Sequence, residues 1–169
     1  GQAWRTIWLE ADQRSVGVID QTLLPHRLIT RTLTHCDQAA DAISTMVVRG
    51  APLIGVTGAY GLMLALQDDA SDAGLCQAFD QLNASRPTAV NLRWALERVR
   101  DLVQPLPETE RAAAARREAA LIADEDVAMC EAIGEHGLDL FRSLAEQRPS
   151  ERQNEPFQVL THCNAGWLA

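Results

Sequence analysis

Three glycines, Gly55, Gly58 and Gly61, recur at three-residue spacing inside a segment that otherwise reads as a helix over residues 52–67. Each glycine costs a helix interior about 1 kcal/mol relative to alanine. A repeated small face is therefore expected where a side chain would hold another backbone away, so this helix should pack closely against a neighbouring element. Pro52 suits its first turn, where no N–H is needed. The same glycines do not form a dinucleotide loop, because no strand of the right kind precedes them and the spacing is not that of the fingerprint.

The rest of the chain falls into place around this helix. Residues 6–9 and 15–19 read as a small antiparallel hairpin, with a third short strand over 27–32. Asp37 is a suitable N-cap for a helix over 39–46, Ser71 for one ending near Asn83, and Thr88 for one ending near Leu102. Pro105 and Pro107 break the chain. A long helical stretch follows, from Glu108 to about Ala145, with Gly134 and Gly137 as expected interruptions. Residues 147–156 are polar, contain two prolines and read as a linker. An apolar run at 157–160, a small and polar loop at 161–166, and a resumed apolar pattern at 167–169 then read as strand, tight loop and helix start. The expected fold class is α/β overall: a small antiparallel β unit with a helical bundle over 1–146, then the opening of an α/β domain over 157–169 that is cut off.

The formal net charge is −8, and no basic tract or basic helix face is visible, which argues against a nucleic-acid platform. All fifteen basic residues are arginine, so arginine alone can supply a cationic contact to a ligand. The four cysteines, Cys36, Cys76, Cys130 and Cys163, are far apart and lack metal-like spacing, which fits a reduced, cytoplasmic protein without a metal site. No apolar run is long enough to span a bilayer.

Three constellations could carry chemistry. In Val48-Arg49-Gly50-Ala51-Pro52, small residues let a ligand approach the backbone, the following helix N-terminus favours an anion, and Arg49 can add a bidentate contact. In Ser85-Arg86-Pro87-Thr88, Arg86 again precedes a helix start. Taken singly, each also fits an ordinary loop arginine beside a capped helix. In Thr161-His162-Cys163-Asn164-Ala165-Gly166, a cysteine at a strand-to-helix turn would sit in a field that favours thiolate. A buried core cysteine is the plain alternative, although the polar neighbours argue against a dry site. His162 would point to the opposite face of a strand end, so a dyad with Cys163 is disfavoured. His35-Cys36 reads as incidental, Cys76 and Cys130 as core residues, and Asp124-Glu125-Asp126 as a solvated helix face.

In order along the chain, Met46-Val47-Val48-Arg49-Gly50-Ala51-Pro52, Arg86-Pro87-Thr88-Ala89-Val90-Asn91-Leu92 and Leu160-Thr161-His162-Cys163-Asn164-Ala165-Gly166 together resemble the methylthioribose-1-phosphate isomerase family. Val18-Ile19-Asp20-Gln21-Thr22-Leu23-Leu24-Pro25 resembles the family's start. The family is related to the regulatory subunits of the translation-initiation guanine-nucleotide exchange factor and to ribose-1,5-bisphosphate isomerases. The resemblance implies an aldose–ketose isomerisation of 5-methylthioribose 1-phosphate to 5-methylthioribulose 1-phosphate, in methionine salvage. It implies substrate binding by Arg49, Gly50, Ala51 and Arg86, a catalytic role for Cys163, no metal or organic cofactor, a homodimer, and a Rossmann-like domain after the linker.

The resemblance also implies a proton-donor aspartate, a binding glutamine and an Asn-Lys pair downstream of the cysteine loop, beyond Ala169. The 169 residues alone are therefore expected to be inactive. Two related readings stay open: a ribose-1,5-bisphosphate isomerase, which shares the fold, and a non-catalytic regulatory subunit, which would be expected to lack the cysteine loop.

Overall fold

The computed structural model describes residues 5–162. β1 (Ile7–Leu9), β2 (Val16–Ile19) and β3 (Thr30–Leu33) form an antiparallel meander in the order β1-β2-β3. Ile7 pairs with Val18, and Val18 with Arg31. All of β2 is buried, so the middle strand anchors the sheet to the core. The third strand lies later than the 27–32 expected from sequence. Asp20 N–H donates to Ile29 C=O and ends the ladder, and Arg27 N–H turns back to Leu23 C=O, so pairing begins only at Thr30.

Five α-helices follow: α1 (Cys36–Ser44), α2 (Ala51–Asp68), α3 (Asp72–Ser85), α4 (Val90–Val103) and α5 (Glu108–Glu146). α1 starts earlier than an Asp37 cap would place it. Gln38 Oε1 accepts from the N–H of Thr34 and of His35, at 2.7 and 3.3 Å, and this draws the first turn back to Cys36. Ser71 caps α3 as expected, its hydroxyl accepting from Gly74 N–H at 3.1 Å.

α2 is the hub of the bundle. Its buried residues run almost without a break from Leu53 to Leu66, as expected of a helix apolar on every side. The glycines mark where its neighbours press. A Cβ on Gly55 would lie 2.9 Å from the Asn91 carbonyl oxygen, and one on Gly58 2.4 Å from Leu92 Cδ1. Gly61 faces Leu82 of α3 and Ala39 of α1 instead. Three helical residues turn about 300°, so the glycine stripe winds from one neighbour to the next rather than marking one face. The Gly55–Asn91 and Gly58–Leu92/Leu96 contacts advance in the same direction along both helices, so α2 and α4 run parallel. α3 returns between them, and α5 runs back against α4, with Arg98 held by Glu118 and Glu125.

α5 is continuous through Gly134 and Gly137. Both positions are open, with nothing within 4 Å of an added Cβ, and their neighbours are good helix formers, so the glycine penalty is absorbed. Its last buried residue is Ala123; beyond it the helix carries exposed Met129, Ile133 and Leu140. This also explains why Cys130, expected in the core, is exposed. Cys76 is exposed as well, because the buried stripe of α3 is Leu75, Ala78 and Leu82, and Cys76 points the other way. No helix among the described residues is long and apolar enough to cross a membrane.

Glycine context yields a two-sided prediction. Gly134→Ala should slow amide exchange in the outer part of α5 by about fivefold, the effect of ~1 kcal/mol of added helix propensity. Gly55→Ala carries the same propensity gain but forces a methyl against a backbone carbonyl, so it should destabilise the fold by about 1–2 kcal/mol net, read as a lower urea midpoint.

Candidate functional site

The Arg49 loop is built between two buried anchors. After α1, Met46 adopts a left-handed conformation (φ 62°), and Val47 and Val48 are buried. Val48 N–H donates to Ala42 C=O at 3.2 Å, and Val47 C=O accepts from Gln21 N–H at 3.0 Å. Arg49 follows, exposed, and Gly50 has φ 96°, a conformation that side-chain-bearing residues rarely adopt. α2 then begins at Ala51 with Pro52 in its first turn.

The Arg86 loop is shorter. Arg86 is half-buried and ends α3; its C=O accepts from Ala89 N–H at 3.0 Å. This turn places Ala89, rather than the expected Thr88, at the N-cap of α4, and no side chain caps the helix.

Because α2 and α4 run parallel, the Arg49 and Arg86 loops lie at the same end of the bundle. α2 and α4 share a second property. Neither has a side-chain cap or an acidic residue in its first turn. The other three α-helices carry first-turn acids: Asp37 in α1, Asp72 in α3, and Glu108 and Glu110 in α5. Among the α-helices of the described residues, only at the two starts that follow Arg49 and Arg86 are the positive ends left without a first-turn acid. Neither guanidinium is hydrogen-bonded or ion-paired among the described residues, whereas Arg98 and Arg111 are fully engaged. Two free arginines and two uncapped helix starts thus lie at one end of a chain whose net charge is −8, and each is a group that favours an anion.

A shallow pocket of about 210 Å³ lies beside this end of α4, lined by Pro87, Thr88, Ala89, Val90, Arg93 and Trp94. A hollow of about 370 Å³ bordered by Asp72, Phe79 and Arg100 opens at the opposite end of α3 and α4. There Arg100 is occupied by Asp101 at 2.8 Å and by the Phe79 ring, so that hollow offers no free cation.

Cys163, the expected catalytic residue, lies outside the described residues. Residues 157–162 carry no regular structure, and they have no ladder partner among the described residues, without which a strand does not form. Phe157 packs edge-on against Phe141 of α5, and Arg148 lies over its ring. Burial, with Asp37 and Asp68 nearby, pushes the Cys36 thiol up to about 11, so it is protonated at neutral pH and not a nucleophile. His35 contacts Asp68 at 3.2 Å on the surface. The acidic run on α5 is partly engaged, Asp124 with Arg5 and Glu125 with Arg98.

One element beside the site escaped the sequence reading. Asp20 is buried at the end of β2, with its side chain 1% exposed, and caps a 3-10 turn (Gln21–Leu23). Its carboxylate accepts from Thr22 N–H (3.0 Å), Thr22 Oγ1 (2.6 Å) and Arg31 Nε (2.8 Å). Burial alone would push this carboxyl up, but the bonds from Thr22 and Arg31 outweigh it and hold it below the usual carboxylate range. The available signal was a lone Asp directly after an apolar strand, a position where a carboxylate is kept only with partners.

Comparison with known proteins agrees with this architecture. The chain is 55% identical over 165 residues to the methylthioribose-1-phosphate isomerase of Rhodospirillum centenum, covering 98% of this chain and 43% of that protein. It is 57% identical over 169 residues to the enzyme of the same name from Methylobacterium nodulans, covering 45% of it. The chain thus spans less than half the length of these curated relatives. Among solved structures, 5-methylthioribose 1-phosphate isomerase from Pyrococcus horikoshii OT3 superposes with a TM-score of 0.67 at 37% identity, over 73% of this chain and 36% of that one. The translation initiation factor eIF-2B, subunit delta, from A. fulgidus superposes at 0.68 and 35% identity, over 74% of this chain and 38% of that one. The sequence model of the initiation factor 2 subunit family matches residues 47–169, from the Arg49 loop through the cysteine loop, and the chain belongs to that family.

Proposed function

We propose that the protein to which these residues belong is an aldose–ketose isomerase that converts 5-methylthioribose 1-phosphate to 5-methylthioribulose 1-phosphate. The observation that carries the reading is the pairing of two uncapped, acid-free helix starts, each preceded by a free arginine, at one end of the bundle. That arrangement suits a phosphate dianion, and relatives that match nearly the whole of this chain at 55–57% identity are named for a sugar phosphate.

Arg49 and Arg86 hold the phosphate, while the backbone at Gly50 and Ala51 approaches it closely because no large side chain intervenes. The substrate's anomeric carbon carries that phosphate, so simple ring opening does not give the free aldehyde used in ordinary sugar isomerisation. The ring opens with the phosphate retained, and hydrogen then moves from C2 to C1. Holding the phosphate fixes C1 and C2 for that transfer. Cys163 stabilises the transition state or moves a proton. Its approach is compatible with chain length. Arg98 pairs with Glu118 and Glu125, which sets the α4 start roughly level with residue 130 of α5. From Phe141, against which Phe157 packs, back to that level is ~17 Å of helix. Cys163 lies six residue steps beyond Phe157, a reach of up to ~20 Å. In this reading residues 1–146 form the helical domain, 147–156 the linker, and 157–169 the opening of a Rossmann-like domain. The enzyme works as a cytoplasmic homodimer without a metal or organic cofactor.

The similarity to a translation-factor subunit favours a second, non-catalytic reading, since the two superpositions are equally good. Cys163 is the residue that separates them. The test is turnover by the purified full-length protein, supplied with 5-methylthioribose 1-phosphate and followed by appearance of the ketose signal in NMR, with ribose 1,5-bisphosphate as competitor. No conversion of the methylthio sugar would sink the proposal.

A further inference from the structure

We propose that Asp20 is a positioning residue for the Arg49-Gly50-Ala51 loop, acting through the hydrogen bond from Gln21 N–H to Val47 C=O; this rests on reading that loop as the phosphate site. Arg49 itself has few other restraints. Met46 is in a left-handed conformation, Gly50 is at φ 96°, and Arg49 between them is solvent-exposed with no partner among the described residues. Besides the burial of Val47 and Val48 and the bond from Met46 N–H to Ile43 C=O, two backbone bonds hold the segment that leads into Arg49. One runs inward to α1, from Val48 N–H to Ala42 C=O. The other comes from the 3-10 turn, where Gln21 N–H reaches Val47 C=O at 3.0 Å.

The second bond depends on the orientation of the 3-10 turn, and the turn depends on Asp20. The carboxylate closes the turn on Thr22 N–H and Oγ1 with one oxygen, and takes the Arg31 guanidinium with the other, at 2.8 Å to Nε and 2.6 Å to the terminal nitrogen. Asp20 N–H is bonded to Ile29 C=O, so the residue is fixed at both ends. A buried carboxylate with these partners is rigid. Its rigidity is delivered two residues upstream of Arg49, where a displacement of 1 Å is enough to spoil a bidentate contact. The sheet thus sets the position of a binding arginine on the helical bundle without touching the ligand.

The test uses the full-length protein and two readouts. Asp20→Asn keeps the size of the side chain but turns an amide toward Arg31. It should raise KM for 5-methylthioribose 1-phosphate about 5–10-fold, leave kcat within about twofold, and speed amide exchange at Gln21 and Val48. On an Arg49→Ala background the same change should raise KM no further, because its effect passes through Arg49. Arg31→Gln breaks the ion pair from the half-exposed side and should reproduce the result if Asp20→Asn folds poorly. KM effects that add in the double variant, or a fall in kcat at unchanged KM, would overturn the proposal. Faster exchange at Gln21 and Val48 with unchanged KM in both Asp20→Asn and Arg49→Ala would keep the latch but remove the phosphate from this loop, which overturns the functional reading instead.

Discussion

Replacing Arg111 with alanine should destabilise the fold by about 3–5 kcal/mol, read as a fall in the urea midpoint at unchanged slope. Arg111 is 5% exposed, on the core side of α5. Its guanidinium donates to three backbone carbonyls: Leu106 at 3.0 Å, Ala70 at 2.9 Å and Gln104 at 2.9 Å. Those groups belong to the turn that ends α4 and to the connection entering α3, so one side chain joins three segments. Its ion pair with Asp72 contributes little, because that carboxylate is 78% exposed and well hydrated. The loss comes from emptying the site of a buried guanidinium and leaving three part-buried carbonyls without that donor, at up to about 1–3 kcal/mol each before water and relaxation recover some of it. Arg111→Lys should recover only a small part, since an ammonium cannot reach the three acceptors in the geometry of a planar fork. A midpoint within error of the parent in Arg111→Ala would mean that these carbonyls find water.

The second large effect divides binding from chemistry. In the full-length protein, Arg49→Ala should weaken sugar-phosphate binding by about 30-fold, equivalent to ~2 kcal/mol for one charge-assisted contact. Arg49 is exposed in the described residues, so some of its contact is screened, and a loss beyond a thousandfold is not expected. Cys163→Ala should abolish turnover while leaving affinity for a non-reacting phosphate analogue within about threefold, as measured by calorimetry. The contrast follows from the roles proposed: one residue holds charge present throughout, and the other acts only as hydrogen moves. Full activity in Cys163→Ala would refute the role given to the cysteine.

How far the sequence could be read varied with the kind of force involved. α2 was legible because its glycines have a purely steric cause, and Ser71 because a capping hydroxyl acts within three residues. β3 was displaced from expectation by a bond between residues nine apart, and α1 and α4 by local bonds that compete with the expected caps. Asp20 N–H ends one ladder, Gln38 draws one helix start back, and the Arg86 carbonyl moves another. Gly134 and Gly137 misled because a penalty of ~1 kcal/mol shortens a marginal helix but does not break a long one. Cys76 and Cys130 fall on helical patterns, but a pattern alone does not tell which face or which half of a helix meets the core, and both are exposed. Arg111 could have been found. It falls on the same stripe as Ala114, Ala115, Ala119 and Ile122, and an arginine on such a stripe is kept only where carbonyls await it. The candidate binding residues stand out in the sequence as arginines ahead of helix starts; that the two loops share one end of the bundle depends on α2 and α4 running parallel.

The halves of α5 have different mechanical roles. Up to Ala123 the helix is clamped in the core; from there to Glu146 it is an arm of ~35 Å, held mainly by its own backbone bonds. A bend of about 10° where the clamp ends would move the tip of that arm by ~6 Å, about the width of a sugar ring, within the range over which long helices curve. Phe157, packed on that arm, therefore takes its distance from the two arginine loops from the stiffness of one helix, and every brace laid against the outer half of α5 also adjusts that distance.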